Sequence, residues 1–289
     1  MAHATSETRG ARLSRRGLVT VVGPDTQKLL QGLLTSDLGR LDRHPAIPAT
    51  LLTPQGKILV EMLVVGIDGG VALDVPAGEV ATLLKRLALY KLRAKVEISD
   101  VSNERALLWL PEAADGARGT FPDPRHRDLG PRLLAPIIEA VGSADRDYDA
   151  RRIALGIAEQ GADYAATEVF PHEANLDQLG GVDFDKGCYV GQEVVSRMHH
   201  RGTARSRFVP VTGQAELAER GTPVMAGGRE IGRMGSHQGM SGLALLRLDR
   251  LAEAVAAGVQ PEISGVPLAV RRPAWARFDV AGAVNGGDA

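Results

Sequence analysis

Residues 186–193 have the sequence Lys-Gly-Cys-Tyr-Val-Gly-Gln-Glu, and Cys188 is the only cysteine of the 289-residue chain. A solitary thiol cannot form an intramolecular disulfide, and one side chain cannot hold a metal cluster alone. Gly187 and Gly191 permit unusual backbone angles on either side of the cysteine. The octapeptide therefore predicts a reactive thiol, or one ligand of a site that another molecule completes.

The stretch 191–202 predicts a short helix, because apolar residues recur at helical spacing and Gly202 provides a C-terminal stop. Cys188 then lies just before the helix N-terminus, where unpaired N–H groups and the macrodipole favour a thiolate. The alternative is that Cys188 is a small buried apolar residue, as free cysteines commonly are. Nearby cations favour the reactive thiol.

Residues 186–207 carry five Lys or Arg and two His against one acid, Glu193. A basic patch on an otherwise balanced chain predicts an anionic ligand or an acidic partner surface, with a solvated helix face as the alternative.

The composition is 44% hydrophobic and 24% charged, with a net charge of −1 and a pI of about 6.7. These values are typical of a soluble globular protein with two or three domains, and they predict neither a nucleic-acid partner nor a membrane partner. One cysteine and the lack of a secretory pattern favour a cytoplasmic location, or the mitochondrial matrix if the chain is eukaryotic. Four arginines within the first sixteen residues leave an organellar targeting peptide open.

Strand and helix patterns alternate through the first hundred residues, which predicts an α+β fold. The predicted elements are a strand at 18–22, a helix from Asp25 to Leu34, a hairpin at 50–65, a strand at 71–75, a helix at 76–93 and a strand from Val96. Residues 111–131 are predicted to form an irregular loop between two apolar runs, and 147–156 a helix. Beyond Arg205, short apolar segments cut by glycines predict a small β-barrel, and 252–258 a helical turn or an Ala-rich loop.

Several common functional motifs are absent from the sequence, which contains no P-loop, dinucleotide fingerprint, Cys-x-x-Cys pair or nucleophile elbow. His199 and His200 are adjacent and do not form the i,i+4 pair of a metal-binding helix. The residues alone therefore predict an activated thiol beside a basic helix and name no substrate.

The octapeptide closely resembles the signature of the YgfZ-type folate-binding proteins. These are relatives of the glycine-cleavage T-protein (aminomethyltransferase) and are implicated in iron–sulfur cluster maturation and repair. Supporting resemblances lie at Leu30–Asp37, Pro54–Lys57, Asp123–Arg125, Leu129–Arg132, Arg152–Ile157 and Phe170–Asp177.

The resemblance implies a three-domain T-protein-like architecture around a central channel, with a C-terminal β-barrel. The implied boundaries are a flexible tail at 1–16, folate-binding α+β domains at 17–105 and 145–204 interleaved with 106–144, a barrel at 205–280 and a tail at 281–289.

The resemblance also implies that tetrahydrofolate binds in the channel. The T-protein glutamate that contacts the pterin matches Glu173, and a carboxylate suits the donor edge of that ring. Lys186 and Arg197 are expected near the channel mouth, where cations suit the anionic folate tail. Further candidates for cofactor binding are Tyr189, Gln31, Thr35 and Asp37.

Two functions follow from this resemblance. In the first, the chain is an assembly factor in which Cys188, beside Lys186, shares a cluster with an A-type iron–sulfur carrier protein and serves client cluster enzymes. The second is a folate-dependent aminomethyl or one-carbon transferase. The T-protein catalytic aspartate lies in an Asn-Ala-containing segment that residues 73–77, Leu-Asp-Val-Pro-Ala, do not reproduce, which disfavours aminomethyl transfer and leaves enzymatic activity open.

Overall fold

The computed structural model of the chain describes residues 10–111, 119–202 and 204–285. They form two compact units, each assembled from three stretches of sequence. The first unit takes its described residues from Met1–Gln31, Leu38–Pro48 and Met62–Tyr148, and the second from Gly32–Asp37, Ala49–Glu61 and Asp149–Ala289.

Five α-helices occur among the described residues. They are α1 Thr26–Gln31, α2 Val80–Lys91, α3 Asp145–Leu155, α4 Gln192–Arg201 and α5 Leu248–Ala256. Each of α2, α4 and α5 buries apolar side chains on one side, as helices on the surface of a globular unit do.

The first unit contains two sheets. One has the strand order β3-β4-β5-β2-β6, with β2 Arg16–Val22, β3 Ala46–Leu52, β4 Ile58–Ile67, β5 Gly70–Pro76 and β6 Glu97–Asp100; β3 and β4 continue along the chain into the second unit. The other has the order β10-β1-β7-β9-β8, with β1 Gly10–Arg12, β7 Arg105–Trp109, β8 Phe121–Pro122, β9 Pro131–Pro136 and β10 Ala140–Ser143.

The core of the first unit follows from the apolar strands. Leu18, Leu63 and Ala72 pack in one cluster with Leu107 and Phe121. A buried ion cluster lies beside this core, where both Arg125 and Arg132 contact the Asp123 carboxylate at 2.8–2.9 Å. These are residues of the Asp-Pro-Arg and Gly-Pro-Arg stretches.

The second unit contains a closed six-stranded barrel. Its strands are β11 Ser206–Gly213, β12 Pro223–Ala226, β13 Arg229–Gln238, β14 Ser241–Arg247, β15 Glu262–Ile263 and β16 Val266–Arg272, and β17 Val284–Asn285 pairs with β16. The barrel closes because β11 pairs with both β14 and β16. Its interior is filled by apolar side chains such as Val209, Met234 and Leu268.

The stretch 156–191 of the second unit consists of turns, bends and irregular segments. It contributes Tyr164, Ala174, Leu176 and Val182 to an apolar core of that unit. Among the helices of the described residues, none combines the length and the hydrophobicity that a membrane-spanning helix requires. Long segments without regular structure are commonly functional in compact domains, and this one leads directly into the cysteine octapeptide.

Most predicted elements are present, with three differences. The helix predicted to reach Leu34 ends at Gln31, because Leu34 forms a β-bridge with Leu51. The helix predicted from Pro76 begins at Val80, after a 3₁₀ turn at Ala77–Glu79. The segment 252–258, for which a helical turn or a loop was open, is largely helical as part of α5.

The predicted tails also differ from the structure in part. Within 1–16, Gly10–Arg12 forms β1 and the strand β2 starts at Arg16; within 281–289, Val284–Asn285 forms β17. Residues 1–9 and 286–289 lie outside the described residues.

Candidate functional site

Cys188 is exposed to solvent and lies four residues before α4. Gly191 precedes the helix with a φ of 81°, and Gly202 follows it with a φ of 59°, both in the left-handed region that glycine favours. The predicted helix and its glycine stop are confirmed. The alternative of a buried cysteine is wrong, because Cys188 is exposed.

Lys186 is buried, although it lies only two residues from the exposed cysteine. Its Nζ donates hydrogen bonds to the carbonyl oxygens of Leu34 at 2.7 Å and Ser36 at 3.0 Å. Burial lowers the pKa of Lys186 to about 8, against the opposing effect of the nearby carboxylates of Asp37 and Asp183. The ammonium group therefore ties the octapeptide to the segment 34–36.

The same segment is held by a second set of bonds. The Asp183 N–H donates to the Thr35 carbonyl at 3.0 Å, and the Thr35 hydroxyl donates to the Gly181 carbonyl at 2.6 Å. That hydroxyl also accepts from the Thr50 N–H at 2.9 Å, and Thr35 is fully buried. This placement favours a structural role for Thr35 rather than a direct ligand contact.

The other end of the octapeptide is fixed by close backbone packing. A Cβ at Gly191 would lie 2.5 Å from the Thr53 carbonyl oxygen, and one at Gly56 would lie 3.0 Å from the Val194 side chain. Gly56 belongs to the tight turn between β3 and β4, where its N–H donates to the Thr53 carbonyl. Only glycine fits at position 191, and the thiol segment is thereby anchored on both sides.

Tyr189 follows the cysteine and points into the protein. Its ring is buried, and the Lys186 ammonium lies 5.3 Å from the ring centroid. Burial raises the pKa of the Tyr189 hydroxyl to about 12, and the negative charge of Asp183 acts in the same direction. Tyr189 therefore stays neutral and packs with the anchoring lysine.

Sequence similarity to two relatives identifies the family of this chain. The protein named iron–sulfur cluster assembly factor IBA57 homolog, mitochondrial, from Mycosarcoma maydis is 33% identical over 286 residues, covering 90% of this chain and 70% of the relative. The human protein, iron–sulfur cluster assembly factor IBA57, mitochondrial, is 32% identical over 276 residues, covering 83% of this chain and 78% of the relative. This chain belongs to the IBA57 family.

Two further comparisons concern the fold of this IBA57-family chain. A crystal structure of glycine cleavage system aminomethyltransferase T from Bartonella henselae superposes with a TM-score of 0.69 at 16% identity, covering 93% of this chain and 88% of that one. The family model named CAF17, C-terminal beta-barrel domain, matches residues 205–278. The predicted T-protein-like fold and C-terminal barrel are confirmed. The mitochondrial names of the relatives agree with the expected matrix location of a eukaryotic chain.

Glu173, the residue predicted to contact a pterin, is partly committed to its own fold. Its Oε2 accepts a hydrogen bond from the Phe170 N–H at 2.8 Å and lies 3.7 Å from the Lys57 ammonium. Its second oxygen, Oε1, has no partner among the described residues. The IBA57-family chain thus presents one carboxylate oxygen that a ligand N–H could use.

Each of the remaining predicted residues interacts with a group near it. Gln31 lies in the first unit, where its Oε1 accepts from the Leu38 N–H at 2.9 Å. Arg197 is exposed and pairs with Glu193 one turn earlier on α4. Asp37 is half-buried in the second unit, close enough to act on the Lys186 charge.

Sequence reasoning missed an aromatic cluster beside α4. Phe184 stacks on His199 at 3.7 Å between ring centroids, and the His172 ring lies 5.9 Å from Phe184 and 6.4 Å from His199. His172 is 2% exposed, and neither of its ring nitrogens has a hydrogen-bond partner among the described residues. No local pattern could reveal this cluster, because its members come from three separate stretches.

The neutral state of His172 follows from its surroundings. Burial lowers the pKa of His172 to about 4; Asp177 opposes this effect, whereas Arg207 and His199 act in the same direction as burial. Three His, Cys, Asp or Glu side chains placed to hold one metal ion do not occur among the described residues. Cys188 therefore has no ready-made set of protein co-ligands in the part of the chain that the structure describes.

Two cavities are lined by other residues. One of about 540 Å³ in the first unit is lined mainly by apolar groups, including Val22, Leu38 and Leu41. The other, of about 260 Å³ in the second unit, includes Pro210 and Arg271 in its lining. Neither is lined by a residue of the predicted site.

Proposed function

We propose that this chain assists the assembly or repair of iron–sulfur clusters in client enzymes, and that Cys188 supplies one thiolate to a cluster shared with a partner protein. The names of its IBA57 relatives support the general role. The observation that carries the specific role is the exposure of the only thiol on a segment anchored at both ends. In this proposal the chain is a counterpart of the YgfZ-type proteins.

A single thiolate requires help from outside the chain. Iron–sulfur clusters are normally held by four protein ligands, most often cysteines, and the described residues offer no set of three ligands around Cys188. The other ligands therefore come from the partner, for which an A-type carrier protein is the proposed source. The cluster is cargo that passes to a client enzyme.

Anchoring of the thiol segment makes such sharing efficient. A ligand that is already held in its bound conformation loses little conformational entropy when the complex forms. Lys186 and Gly191 restrain the segment on either side of Cys188 without covering the sulfur. In this proposal Lys186 acts as a positioning residue rather than as a group that touches the cluster.

We also propose that tetrahydrofolate binds to this chain. The uncommitted Oε1 of Glu173 fits the donor edge of a pterin, since a carboxylate accepts hydrogen bonds from ring and amino N–H groups. Bound tetrahydrofolate would supply a reduced pterin that can carry one-carbon units. The Lys57 ammonium lies 3.7 Å from Oε2, on the other oxygen of the same carboxylate.

Substitution of Cys188 by Ser tests the shared-ligand role. Anaerobic reconstitution with iron and sulfide, in the presence of an A-type carrier, is expected to give the visible absorption of a cluster with the wild type and none above that of the carrier alone with Cys188→Ser. In cells, activity of cluster-dependent enzymes is expected to fall in parallel.

Asp185→Asn is the matched control, because Asp185 is exposed and lies three residues before Cys188. Both readouts should stay at the wild-type level in that variant. Full reconstitution and full client activity with Cys188→Ser would disprove the shared-ligand role. Turnover of a folate one-carbon donor that survives Cys188→Ser would instead favour the transferase alternative.

A further inference from the structure

The turn that follows α2 in the first unit presents an exposed leucine in a strained backbone conformation. Leu92 has a φ of 44° and a ψ of −107°, and its side chain is 86% exposed. A positive φ is unfavourable for a bulky residue. Strained residues of this kind cluster at sites where a ligand or partner binds.

Other exposed apolar side chains lie next to Leu92. Leu89 is 60% exposed and Tyr90 is 37% exposed. Leu89 lies on the side of α2 opposite the buried Leu83 and Leu87, one turn after Lys85 and Arg86. The three apolar residues therefore form a small exposed group at the C-terminal end of the helix.

The surroundings of this apolar group are strongly basic. The stretch 80–96 contains no acidic residue and five cationic ones: Lys85, Arg86, Lys91, Arg93 and Lys95. None of the five side chains is paired with a carboxylate among the residues that the structure describes. The nearest acids in sequence are Glu79 and Glu97, and the Asp25 carboxylate accepts from the Lys95 backbone N–H at 2.7 Å. The whole chain has a net charge of −1, so this patch is a local concentration of positive charge.

We propose that Leu89, Tyr90 and Leu92, together with the five cations of residues 85–95, form a docking surface for an acidic protein. Complementary charge would steer the partner to the surface, and an apolar pocket on the partner would receive Leu92. This surface belongs to the first unit and Cys188 to the second, so the proposal does not depend on the function of the thiol.

An acidic protein fits the geometry better than an anionic membrane. A helix that binds to a lipid surface inserts a continuous apolar face into the headgroup region. The apolar face of α2 is already used, because Val80, Leu83 and Leu87 are buried within the protein. What stays exposed is a compact group of three side chains, which suits a pocket.

Photo-crosslinking in cells identifies the partner and tests the surface. The full chain carries p-benzoylphenylalanine at position 92 or, as the control, at position 138, where Ile138 is 89% exposed in the same unit. An adduct with a protein of acidic surface is expected at position 92 and not at 138. Equal adducts at the two positions, or none at 92, would overturn the proposal.

Binding of the purified partner to variants then separates specific docking from general charge. Lys85→Glu with Arg86→Glu is expected to weaken binding about tenfold or more, and to lower its rate of association. Arg43→Glu with Arg105→Glu makes the same change of net charge at exposed sites elsewhere in the unit and is expected to have little effect. Similar losses in both double variants would contradict a defined docking surface.

Leu92→Gly removes the exposed leucine side chain while the fold is preserved. Glycine adopts the observed backbone angles without strain, so this variant is expected to be at least as stable as the wild type. It should nevertheless bind the partner about tenfold more weakly, because it lacks the apolar anchor. Flotation with vesicles of phosphatidylcholine and phosphatidylglycerol in about a three-to-one ratio tests the membrane alternative. Flotation of the wild type that Leu92→Gly abolishes would overturn the protein-docking proposal.

Discussion

Lys186 and Cys188 show how two neighbouring residues of one motif acquire different roles. The sequence suggested that the lysine is a cation beside the thiol, whereas its ammonium is bonded to two backbone carbonyls about 150 residues earlier in the chain. Because the Lys186 ammonium donates hydrogen bonds to buried carbonyls, its main role is to position the octapeptide rather than to polarise the Cys188 sulfur. This difference has a measurable consequence.

Lys186→Met is expected to destabilise the fold, because it leaves two buried carbonyl groups without their ammonium donor. The free energy of unfolding should fall by about 1–3 kcal/mol, measured by urea denaturation. Lys85→Met, at an exposed lysine, is the control and should change it by less than about 0.5 kcal/mol. A Lys186→Met variant as stable as the control would contradict the anchoring role.

The difference in unfolding free energy between the wild type and Lys186→Met should change with pH in a defined direction. The pKa of Lys186 is lowered from 10.5 to about 8 in the folded protein, so between these values the unfolded chain binds more protons than the folded one. The stability of the wild type relative to Lys186→Met should therefore increase as the pH rises from 8 to 10.5. A stability difference that does not change between pH 8 and 10.5 would show that the Lys186 ammonium is exposed to water.

The exposed Cys188 could be predicted from its sequence, whereas the anchoring by Lys186 and the burial of His172 could not. Glycines on both sides of the cysteine and the helix start that follows are local signals. The partners of Lys186 lie at Leu34 and Ser36, and those of His172 at Phe184 and His199. Contacts between distant stretches leave no periodic pattern in a single sequence.

Among the elements, both ends of α4 were predicted correctly, whereas the C-terminal end of α1 was not. Gly191 and Gly202 bound α4 on either side, and Val195 is fully buried on its apolar side. The predicted continuation of α1 to Leu34 had a good apolar stripe but lost to a β-bridge with Leu51. Tertiary pairing overrides helix propensity when the two compete.

Gly191→Ala tests the packing that starts α4. The new Cβ would lie 2.5 Å from the Thr53 carbonyl oxygen at a φ of 81°, so either the turn or the helix must move. The expected loss of unfolding free energy is about 1–3 kcal/mol, with a changed rate of Cys188 alkylation by iodoacetamide.

Gly187→Ala is the internal control for this experiment. A Cβ at Gly187 would meet nothing within 4 Å, although this glycine lies directly beside the cysteine. Its stability should stay within about 0.5 kcal/mol of the wild type. Equal effects of the two substitutions would show that the close approach at Gly191 is not what holds the thiol segment.

At the scale of the whole molecule, the two units contain titratable groups that respond to acid over different ranges. The pKa of His172 in the second unit is lowered from 6.5 to about 4, so between these values the unfolded chain binds more protons than the folded one. The contribution of neutral His172 to stability is therefore complete above pH 6.5 and is lost as the pH falls towards 4. Burial alone would raise the pKa of Asp123 in the first unit, but Arg125 and Arg132 hold it at about 2 instead of 3.8. Its contribution is lost only as the pH falls from 3.8 towards 2.

Each unit has one tryptophan that can report these losses separately. Trp109 of the first unit lies 5.6 Å from Tyr148, which bonds to the ion cluster of Asp123, and Trp275 of the second unit bonds to the Leu155 carbonyl. Acid titration of Trp275→Phe and Trp109→Phe variants by fluorescence should show the second unit changing at the higher pH. His172→Phe should shift only that transition downwards, and coincident transitions in both variants would contradict separate responses.

The fold of the whole chain was predictable to the level of architecture, because the apolar segments after Arg205 carry the strand spacing of a barrel and the octapeptide resembles a specific family signature. The division into two units was not, since each collects three stretches that no change of composition marks. Strands β3 and β4 run through both units, so the boundary between the units falls inside a continuous hairpin that the sequence had assigned to a single domain, 17–105.

A chain with one sulfhydryl, held at the surface of a restrained turn, takes a single covalent label without any engineering. A maleimide dye or nitroxide would occupy the proposed meeting point with a partner and nowhere else. Quenching of the dye or broadening of the nitroxide signal on titration with a candidate carrier would map the complex. Addition of unlabelled chain should then restore the signal by competition.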